Sequence, residues 1–361
     1  MRVSRLAAIA IALVSTACTS APPAAAPRDD HGMSAYLDDL VDLRQFRGSV
    51  EVLRGDEVLL RKGFGQADVA RDVANDADTR FRIASVTKQF TAMAVLMLQE
   101  DGELRVGDLV CTHLASCPGT WRAITIEQLL THTSGLWDYN ALTEAETEAY
   151  VAEFGERPTP AQLLQVFADR PLEFAPGAEY RYSNCGYDLL GVVVERLSGQ
   201  SYGDFLHDRI LAPLDMADSA YEPGRQVSDH DATGYQDWTT PATQFTDAVN
   251  FASGGMYSTV PDLSRWNRFL LTGRPAIVER DTLDQLLRPR VDTDTGSRYG
   301  YGIETKEIGG ATVRFHGGIL PGFRTVNRIQ PGKDLSIVVM SNLGTAGPEM
   351  VADNLAALVD G

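Results

Sequence analysis

The stretch FRIASVTKQFTAMAVLMLQEDGEL, residues 81–104, decides the fold of this 361-residue chain. Ser85 lies near its start, and Lys88 follows one helical turn later. Because residues three positions apart share one face of a helix, we expect the Lys88 amine beside the Ser85 hydroxyl. The apolar residues that recur at helical spacing after this pair are Phe90, Met93, Ala94, Met97 and Leu98.

A serine and a lysine in this arrangement can act as nucleophile and base. The start of a helix supplies backbone N–H groups and a positive potential, and both favour a developing oxyanion. A buried lysine loses its charge more easily than an exposed one, so Lys88 can accept the Ser85 proton. The alternative is an ordinary N-cap serine followed by a solvated lysine.

A second candidate motif is Tyr182-Ser183-Asn184, within PGAEYRYSNCGYDLLG at residues 176–191. A loop that leads into a helix at about Gly186 can point a phenol and an amide into a cleft. Tyr182 can relay a proton if a nearby cation lowers its pKa. Asn184 can donate to a substrate carbonyl and accept from a lysine. The alternative is a capping asparagine beside a packed tyrosine.

The third motif is His316-Gly317-Gly318, at the end of the predicted strand TVRFHGG. Two glycines leave room for a substrate backbone against the strand edge. The N–H of Ile319 is then a candidate second oxyanion donor beside the N–H of Ser85. The alternative is that the glycines form a turn after the strand.

These three motifs, in this order and spacing, resemble those of class C β-lactamases, D-alanyl-D-alanine carboxypeptidases and their relatives. Three longer segments are also similar to that family, and together with the motifs they extend the resemblance over about residues 34–361. The segments are ITIEQLLTHTSGL (124–136), FASGGMYSTVPDLSRW (251–266) and HGGILPGF (316–323).

The resemblance implies a serine β-lactamase-related or penicillin-binding-protein-like hydrolase, a group that includes D-aminopeptidases and esterases. It implies acylation of Ser85 and hydrolysis of the acyl-enzyme, with Lys88 and Tyr182 as general base and acid and no metal or cofactor. Asn184, His316, Gly317, Gly318 and Ile319 would bind the substrate. His132 would be structural, holding a turn.

One departure from the family pattern concerns the charge at the third motif. It begins with His316, where β-lactamases of this class have lysine, and a histidine near neutral pH is only partly charged. Relatives with histidine resemble D-aminopeptidases, D,D-peptidases and carboxylesterases. We therefore expect weak β-lactamase activity and better cleavage of esters or neutral amides. Any gain for carboxylate-bearing substrates should fade as pH rises through about 6.5.

Local patterns place strands at both ends of the chain and helices between them. A helix is expected over 34–46, a β-hairpin around Arg54-Gly55-Asp56, and a last helix over 348–359. The strand-like segments near the end are TVRFHGG, FRTVNRIQ and LSIVVMSN. We predict an α/β (α+β) protein of the β-lactamase/transpeptidase-like fold. Its antiparallel sheet is formed from both chain ends, with a mostly helical region inserted.

The N-terminus has the pattern of an export signal. Arg2 and Arg5 precede an apolar run, residues 6–14, which rises only about 14 Å as a helix, against about 30 Å of bilayer hydrocarbon. Small residues lead into Cys18, so we predict a signal peptide with a lipobox over 1–18. The linker over 19–33 is rich in Pro and Ala, and the hydrolase domain covers 34–361. We expect an exported protein, periplasmic or in the cell envelope and lipid-anchored through Cys18; the alternative is ordinary cleavage, after Ala26.

Three cysteines remain beside Cys18. Export permits a disulfide between Cys111 and Cys117, the alternative being two separate thiols, and Cys185 is then the odd cysteine.

The net charge of −17 disfavours nucleic acid and anionic lipid as partners. We expect a small-molecule or peptide substrate, and membrane contact only through the anchor. The oligomeric state stays open.

Two other functions compete with hydrolysis. A penicillin-binding protein or sensor would be acylated at Ser85 but would turn over poorly, and no segment for transmembrane signalling supports a sensor. A scaffold that has lost catalysis is disfavoured because all three motifs are intact.

Overall fold

The structure, a computed structural model, describes residues 32–155, 158–223, 228–243 and 250–360. The predicted signal peptide, Cys18 and almost all of the predicted linker lie outside the described residues. The first helix of the described residues begins at Met33.

Helices dominate the middle of the chain and strands its two ends. The helices are α1 (Met33–Asp42), α2 (Thr87–Glu100), α3 (Ile126–Leu130), α4 (Glu144–Phe154), α5 (Pro160–Ala168), α6 (Asn184–Ser198), α7 (Tyr202–Leu206), α8 (Val260–Thr272), α9 (Arg280–Leu287) and α10 (Pro348–Asp360). The strands are β1 (Gly48–Arg54), β2 (Glu57–Phe64), β3 (Gln66–Asp68), β4 (Val73–Ala74), β5 (Phe81–Arg82), β6 (Tyr257–Ser258), β7 (Val291–Asp292), β8 (Arg298–Tyr299), β9 (Glu304–Ile308), β10 (Ala311–Leu320), β11 (Phe323–Gln330) and β12 (Leu335–Ser341).

An eight-stranded antiparallel sheet joins the two ends of the chain. Its strand order is β2-β1-β12-β11-β10-β9-β8-β7. The N-terminal hairpin meets the C-terminal strands where β1 pairs with β12, from Gly48 opposite Ser341 to Arg54 opposite Leu335. The predicted architecture is confirmed: both termini complete one sheet, and the helices from α2 to α9 are inserted between its halves.

Strand β12 shows how the sheet separates two apolar cores. Ile337 and Val339 belong to the core beneath α1 and α10, whereas Val338 and Met340 face the larger core that includes α2, α6 and α8. Successive side chains of a strand point to opposite faces. An uninterrupted apolar run is therefore what a strand covered on both faces requires.

Two element boundaries differ from those predicted. Helix α1 ends at Asp42 rather than Phe46, because Arg44 has φ 57° and the Gln45 N–H donates back to the Leu40 carbonyl. Strand β10 runs on to Leu320, so Gly317 and Gly318 lie inside it. The turn comes after them, where Gly322 has φ 77°.

The cysteines of the described region fall into two kinds. Cys111 and Cys117 form a disulfide, with Cα atoms 5.4 Å apart, and Cys185 is a buried free thiol. Whether the disulfide forms in the exported protein stays a prediction. No helix in the described part of the chain is long and apolar enough to cross a membrane.

Candidate active site

Ser85 lies in a single 3-10 turn, Ala84–Val86, immediately before α2. Ala84 there has φ 48°, a conformation that residues with a side chain seldom adopt. Such backbone strain persists only where the surrounding structure enforces it, and it is frequent at functional sites. The apolar face of α2 is buried behind this turn, so the helix holds Ser85 at the edge of the core.

Lys88, on the first turn of α2, is fully buried and points at Ser85. Its Nζ donates to Ser85 Oγ at 3.2 Å, to Asn184 Oδ1 at 2.7 Å and to the Ser253 carbonyl at 2.7 Å. Burial lowers the pKa of Lys88 from 10.5 to about 7, although the carboxylates of Asp188 and Asp138 oppose the shift. Near neutral pH a large fraction of the lysine is therefore a free amine that can accept a proton.

Tyr182 lies beside this pair. Its ring centroid is 4.7 Å from Lys88 Nζ and 4.2 Å from the ring centroid of His132. Burial raises its pKa well above 10, against a smaller opposite effect from a hydrogen bond with Ser85. The condition stated for a proton relay, a cation that lowers this pKa, is not met, because the desolvation of the phenolate outweighs the other influences. Tyr182 is thus a protonated phenol at neutral pH.

Asn184 is the first residue of α6, and the cap of that helix is Ser183 rather than the asparagine. Ser183 Oγ accepts from the Gly186 N–H at 3.4 Å. The Asn184 N–H donates to the Asp138 carboxylate, and its side-chain amide donates to the same carboxylate at 3.4 Å. These contacts turn Asn184 Oδ1 toward Lys88. The alternative, in which Asn184 caps the helix, does not hold, because Ser183 is the cap.

His132 lies beneath this loop, in a turn with φ 58°. Its Nδ1 accepts the Ser183 N–H at 3.1 Å, and burial lowers its pKa well below 6.5. The histidine is therefore neutral and holds the Tyr182–Asn184 loop in place, which agrees with the structural role expected of it.

His316 contradicts the expectation of partial charge. It is 3 % exposed, and burial together with the nearby Lys88 lowers its pKa from 6.5 to about 3. Its Nδ1 lies 2.6 Å from the Gly317 carbonyl, which can only accept, so Nδ1 carries the proton. Its Nε2 then accepts from the Tyr299 hydroxyl at 3.0 Å. At neutral pH His316 is uncharged, and both ring nitrogens have partners within the protein.

The two glycines of β10 have different neighbours. A Cβ on Gly318 would lie 2.2 Å from the Ile83 carbonyl oxygen, so this glycine lets β10 pack against the turn that carries Ser85. A Cβ on Gly317 would lie 3.1 Å from Glu349 Oε1. Pairing with β9 stops at Phe315, which leaves the edge of β10 at Ile319 without a β9 partner. Ile319 is 61 % exposed.

These elements enclose a cleft of about 810 Å³. Ser85, Tyr182, Asn184, His316, Gly317 and Ile319 line it, and Lys88 reaches Ser85 from beneath. Other charged residues of the lining are Glu304, Glu349 and Arg324. The predicted catalytic residues therefore meet at one site with Asn184, His316, Gly317 and Ile319, whereas Gly318 is absent from the lining and packs against Ile83. The arrangement offers a nucleophile, a base of suitable pKa and a phenolic proton donor.

Three residues of this site were missed in the sequence. The Ser253 carbonyl accepts from Lys88, Asp138 orients Asn184, and the fully buried Asp188 accepts the Ser253 N–H at 2.8 Å. A backbone carbonyl leaves no trace in residue types. Asp188 did leave a signal, since it is an isolated acid in the apolar helix GYDLLGVVV.

The described ranges contain no group of three or more His, Cys, Asp or Glu side chains arranged to hold a metal ion.

A family model described as Beta-lactamase matches residues 33–360. This chain belongs to the β-lactamase family. Within that family it has the β-lactamase/transpeptidase-like fold, with penicillin-binding-protein and D-aminopeptidase relatives.

Relatives in the β-lactamase family include hydrolases. Protein flp of Staphylococcus aureus (strain MW2) is 29% identical over 307 residues, which cover 82% of this chain and 59% of flp. A D-aminopeptidase of Gluconobacter oxydans is 29% identical over 320 residues, 86% of this chain and 58% of that protein. The chain thus spans less than two thirds of the length of either relative.

A solved structure shows the same architecture. The penicillin-binding protein from Bacillus halodurans superimposes with a TM-score of 0.79 at 27% identity, covering 90% of this chain and 99% of that one.

Proposed function

We propose that this protein is a serine hydrolase that cleaves an ester, an amide or a D-amino-acid peptide bond through an acyl-enzyme on Ser85. The observation that carries the proposal is the 3.2 Å hydrogen bond between Ser85 Oγ and Lys88 Nζ, on a lysine whose pKa is lowered to about 7. A serine hydroxyl is a weak nucleophile until a neighbouring base accepts its proton.

In the acylation step, the free amine of Lys88 takes the Ser85 proton as Oγ bonds to the substrate carbonyl carbon. The N–H groups of Ser85 and Ile319 would receive the oxyanion. The tetrahedral intermediate then collapses, and the leaving group takes a proton. Tyr182, a protonated phenol beside Lys88, is placed to donate it and to regain a proton from the lysine ammonium.

In the deacylation step, a water molecule takes the place of the leaving group. The same pair would accept a proton from that water as its oxygen bonds to the acyl carbon, and the proton returns to Ser85 Oγ when the bond between Oγ and that carbon breaks. The hydrolase therefore needs no titrating side chain beyond those already required for acylation.

The charge of the cleft limits the range of substrates that it favours. His316 is neutral, so the third motif offers no cation to a substrate carboxylate. Esters and amides that lack a carboxylate, including amides of D-amino acids, fit this wall better than penicillins, whose carboxylate finds no cation at His316. The D-aminopeptidase relative supports the amide and D-peptide choices.

A penicillin-binding protein that is acylated but turns over poorly is the second candidate. The similarity to the Bacillus halodurans penicillin-binding protein favours it. Both functions require Ser85, and turnover separates them, because only the hydrolase releases product in excess of enzyme.

Location and partners are part of the proposal. We propose export and lipid attachment through Cys18, from the apolar run and the small residues that precede it. The partner is then a small-molecule or peptide substrate in the periplasm or cell envelope, with no nucleic acid.

Ser85→Ala tests the nucleophile. This variant should lose turnover of p-nitrophenyl acetate, D-alanine p-nitroanilide and nitrocefin, and should lose covalent labelling by a fluorophosphonate, while keeping its fold. Ser264→Ala is a matched control, because Ser264 is a buried serine on α8 that does not line the cleft. Full labelling of Ser85→Ala would place the nucleophile elsewhere. A wild type that is labelled but never exceeds one turnover would favour the penicillin-binding alternative.

A further inference from the structure

Asp188 is a fully buried carboxyl group on α6 that the mechanism above does not use. Its Oδ1 accepts the Ser253 N–H at 2.8 Å. Its Oδ2 is buried without a hydrogen-bond partner among the described residues. An ionised carboxylate with one bare oxygen is costly in such a place, whereas a protonated carboxyl is not.

Ser253 links this acid to the proposed base. Its N–H donates to Asp188, and its carbonyl accepts from Lys88 Nζ at 2.7 Å. The two side chains therefore bond to the same residue, Asp188 to its N–H and Lys88 to its carbonyl, and both are fully buried. The charge of each group shifts the pKa of the other, so the two cannot titrate independently.

We propose that Asp188 and Lys88 share one proton, so that Asp188 is a positioning residue that sets when Lys88 is a free amine. The proposal rests on the proposed function, in which Lys88 is the base for Ser85. The pKa values agree with the geometry. Burial raises the pKa of Asp188 to about 7, opposed by hydrogen bonds from Ser253 and by Lys88, and burial lowers the pKa of Lys88 to about 7, opposed by Asp188.

The protons balance in both forms of the Asp188–Lys88 pair and during acylation. With the shared proton on Asp188, both groups are neutral and Lys88 can accept the Ser85 proton as Oγ attacks the carbonyl. Lys88 is then an ammonium, and it returns that proton toward the leaving group. With the shared proton on Lys88, the pair is an ion pair and Lys88 cannot serve as the base. The net charge of the resting pair is zero in both forms.

Other titratable groups surround the pair, and nearly all of them are neutral near pH 7. Burial raises the pKa values of the tyrosines and of the thiol, and lowers those of the two histidines. Asp138 is the remaining acid that acts on both members of the pair. The neutral groups are His132, Tyr139, Tyr150, Tyr182, Cys185, Tyr187, Tyr202 and His316.

Asp188→Asn removes the acid but keeps an oxygen that can accept the Ser253 N–H. Without the neighbouring anion, the Lys88 ammonium is less stable. The acid limb of kcat/KM for p-nitrophenyl acetate should therefore move to lower pH by about one unit or more. An acid limb at the wild-type position would overturn the proposal. A merely structural role would lower kcat/KM at every pH without moving the limb.

Asp262→Asn is the matched control. Asp262 is a buried acid on α8 that is paired with Arg265 and does not line the cleft. Its replacement should leave the acid limb where it is in the wild type. A shift of the same size in this variant would show that the effect is a general response to a lost buried acid, and would also overturn the proposal.

A measurement on the wild-type protein tests the shared proton even if Asp188→Asn does not fold. In wild-type protein labelled with ¹³C at the aspartate carboxyls, one resonance should titrate near neutral pH, far above the ordinary aspartate range near about 3.9. A set of carboxyls that all titrate in the acidic range would overturn the shared proton. This titration needs no turnover, so its failure is distinct from a failure of Ser85→Ala to abolish activity.

Discussion

Lys88, Tyr182 and His316 are all buried around Ser85, and burial moves their pKa values in directions set by their charge type. The amine and the imidazole lose their protons more easily, with pKa values of about 7 and about 3, whereas the phenol holds its proton more tightly. Of these three side chains, Lys88 is the one that can change charge near neutral pH, whereas His316 on the strand side is neutral.

The neutral state of His316 leads to a prediction about substrate charge. For two substrates that differ only in a carboxylate against a neutral amide near the scissile bond, the neutral one should have the higher kcat/KM. The ratio should stay level from about pH 5 to about pH 8, because a group with a pKa of about 3 does not change charge there. Initial rates on both substrates at each pH measure the ratio directly.

The same titration contains its own control, because any common change in Lys88 protonation cancels in the ratio. A ratio that rises for the carboxylate substrate below about pH 6.5 would show an ordinary, titrating imidazole. A high, pH-independent preference for the carboxylate would assign its recognition to a permanent cation such as Arg324, which lines the cleft.

Strand β10 and the turn that carries Ser85 form one packed unit. Gly318 makes the contact possible, since any side chain at this position would meet the Ile83 carbonyl at 2.2 Å. The strand edge beyond it, at Ile319, is then held beside the start of α2, where two N–H groups can face one oxyanion. Strand β10 can therefore pack this closely against the turn only because Gly318 has no Cβ.

Gly318→Ala should separate these two elements. We expect a loss of about 1–3 kcal/mol in the free energy of unfolding, as for other overpacked sites, and slower labelling of Ser85 by a fluorophosphonate. Urea unfolding and labelling rates check the two effects. In Gly347→Ala the new Cβ would lie 3.9 Å from Met350, an ordinary contact, so that control should be nearly neutral. A Gly318→Ala protein as stable and as reactive as wild type would refute the close-packing argument.

The whole molecule depends on its two chain ends, because β1 pairs with β12 and α1 packs with α10 on one face of the sheet. Helix α1 begins at Met33, and its residues Met33, Leu37 and Leu40 are buried in the core on this face. A lipid on Cys18 would then be joined to the fold through a Pro- and Ala-rich segment of the kind that acts as an extended spacer.

Membrane attachment of the full chain should depend on Cys18. The wild type should fractionate with membranes, and Cys18→Ala should be released or remain unprocessed, because a lipidated cysteine would be the anchor. Ser20→Ala, two residues further on, should behave as wild type. A wild type found wholly in the soluble periplasmic fraction, with Cys18 missing from the mature chain, would contradict the prediction.

Much of the fold could be predicted because local patterns and tertiary structure agree. The strands β1, β2, β10, β11 and β12, and the helices α2, α6 and α10, lie close to the segments expected from alternation and helical spacing. The misplaced end of α1 has a local cause, since nothing in the residue type of Arg44 announces its left-handed backbone.

The sequence by itself determined which residues are available for chemistry: the Ser85–Lys88 spacing, the Tyr182–Asn184 loop before a helix and the His316 strand are all readable as patterns. Only the tertiary structure decided their charge. Burial is a property of packing between segments far apart in the chain, so a lowered lysine pKa, a neutral His316 and a raised tyrosine pKa could not follow from spacing. The same holds for Asp188, which reads as one polar residue in an apolar helix until the Ser253 backbone joins it to Lys88.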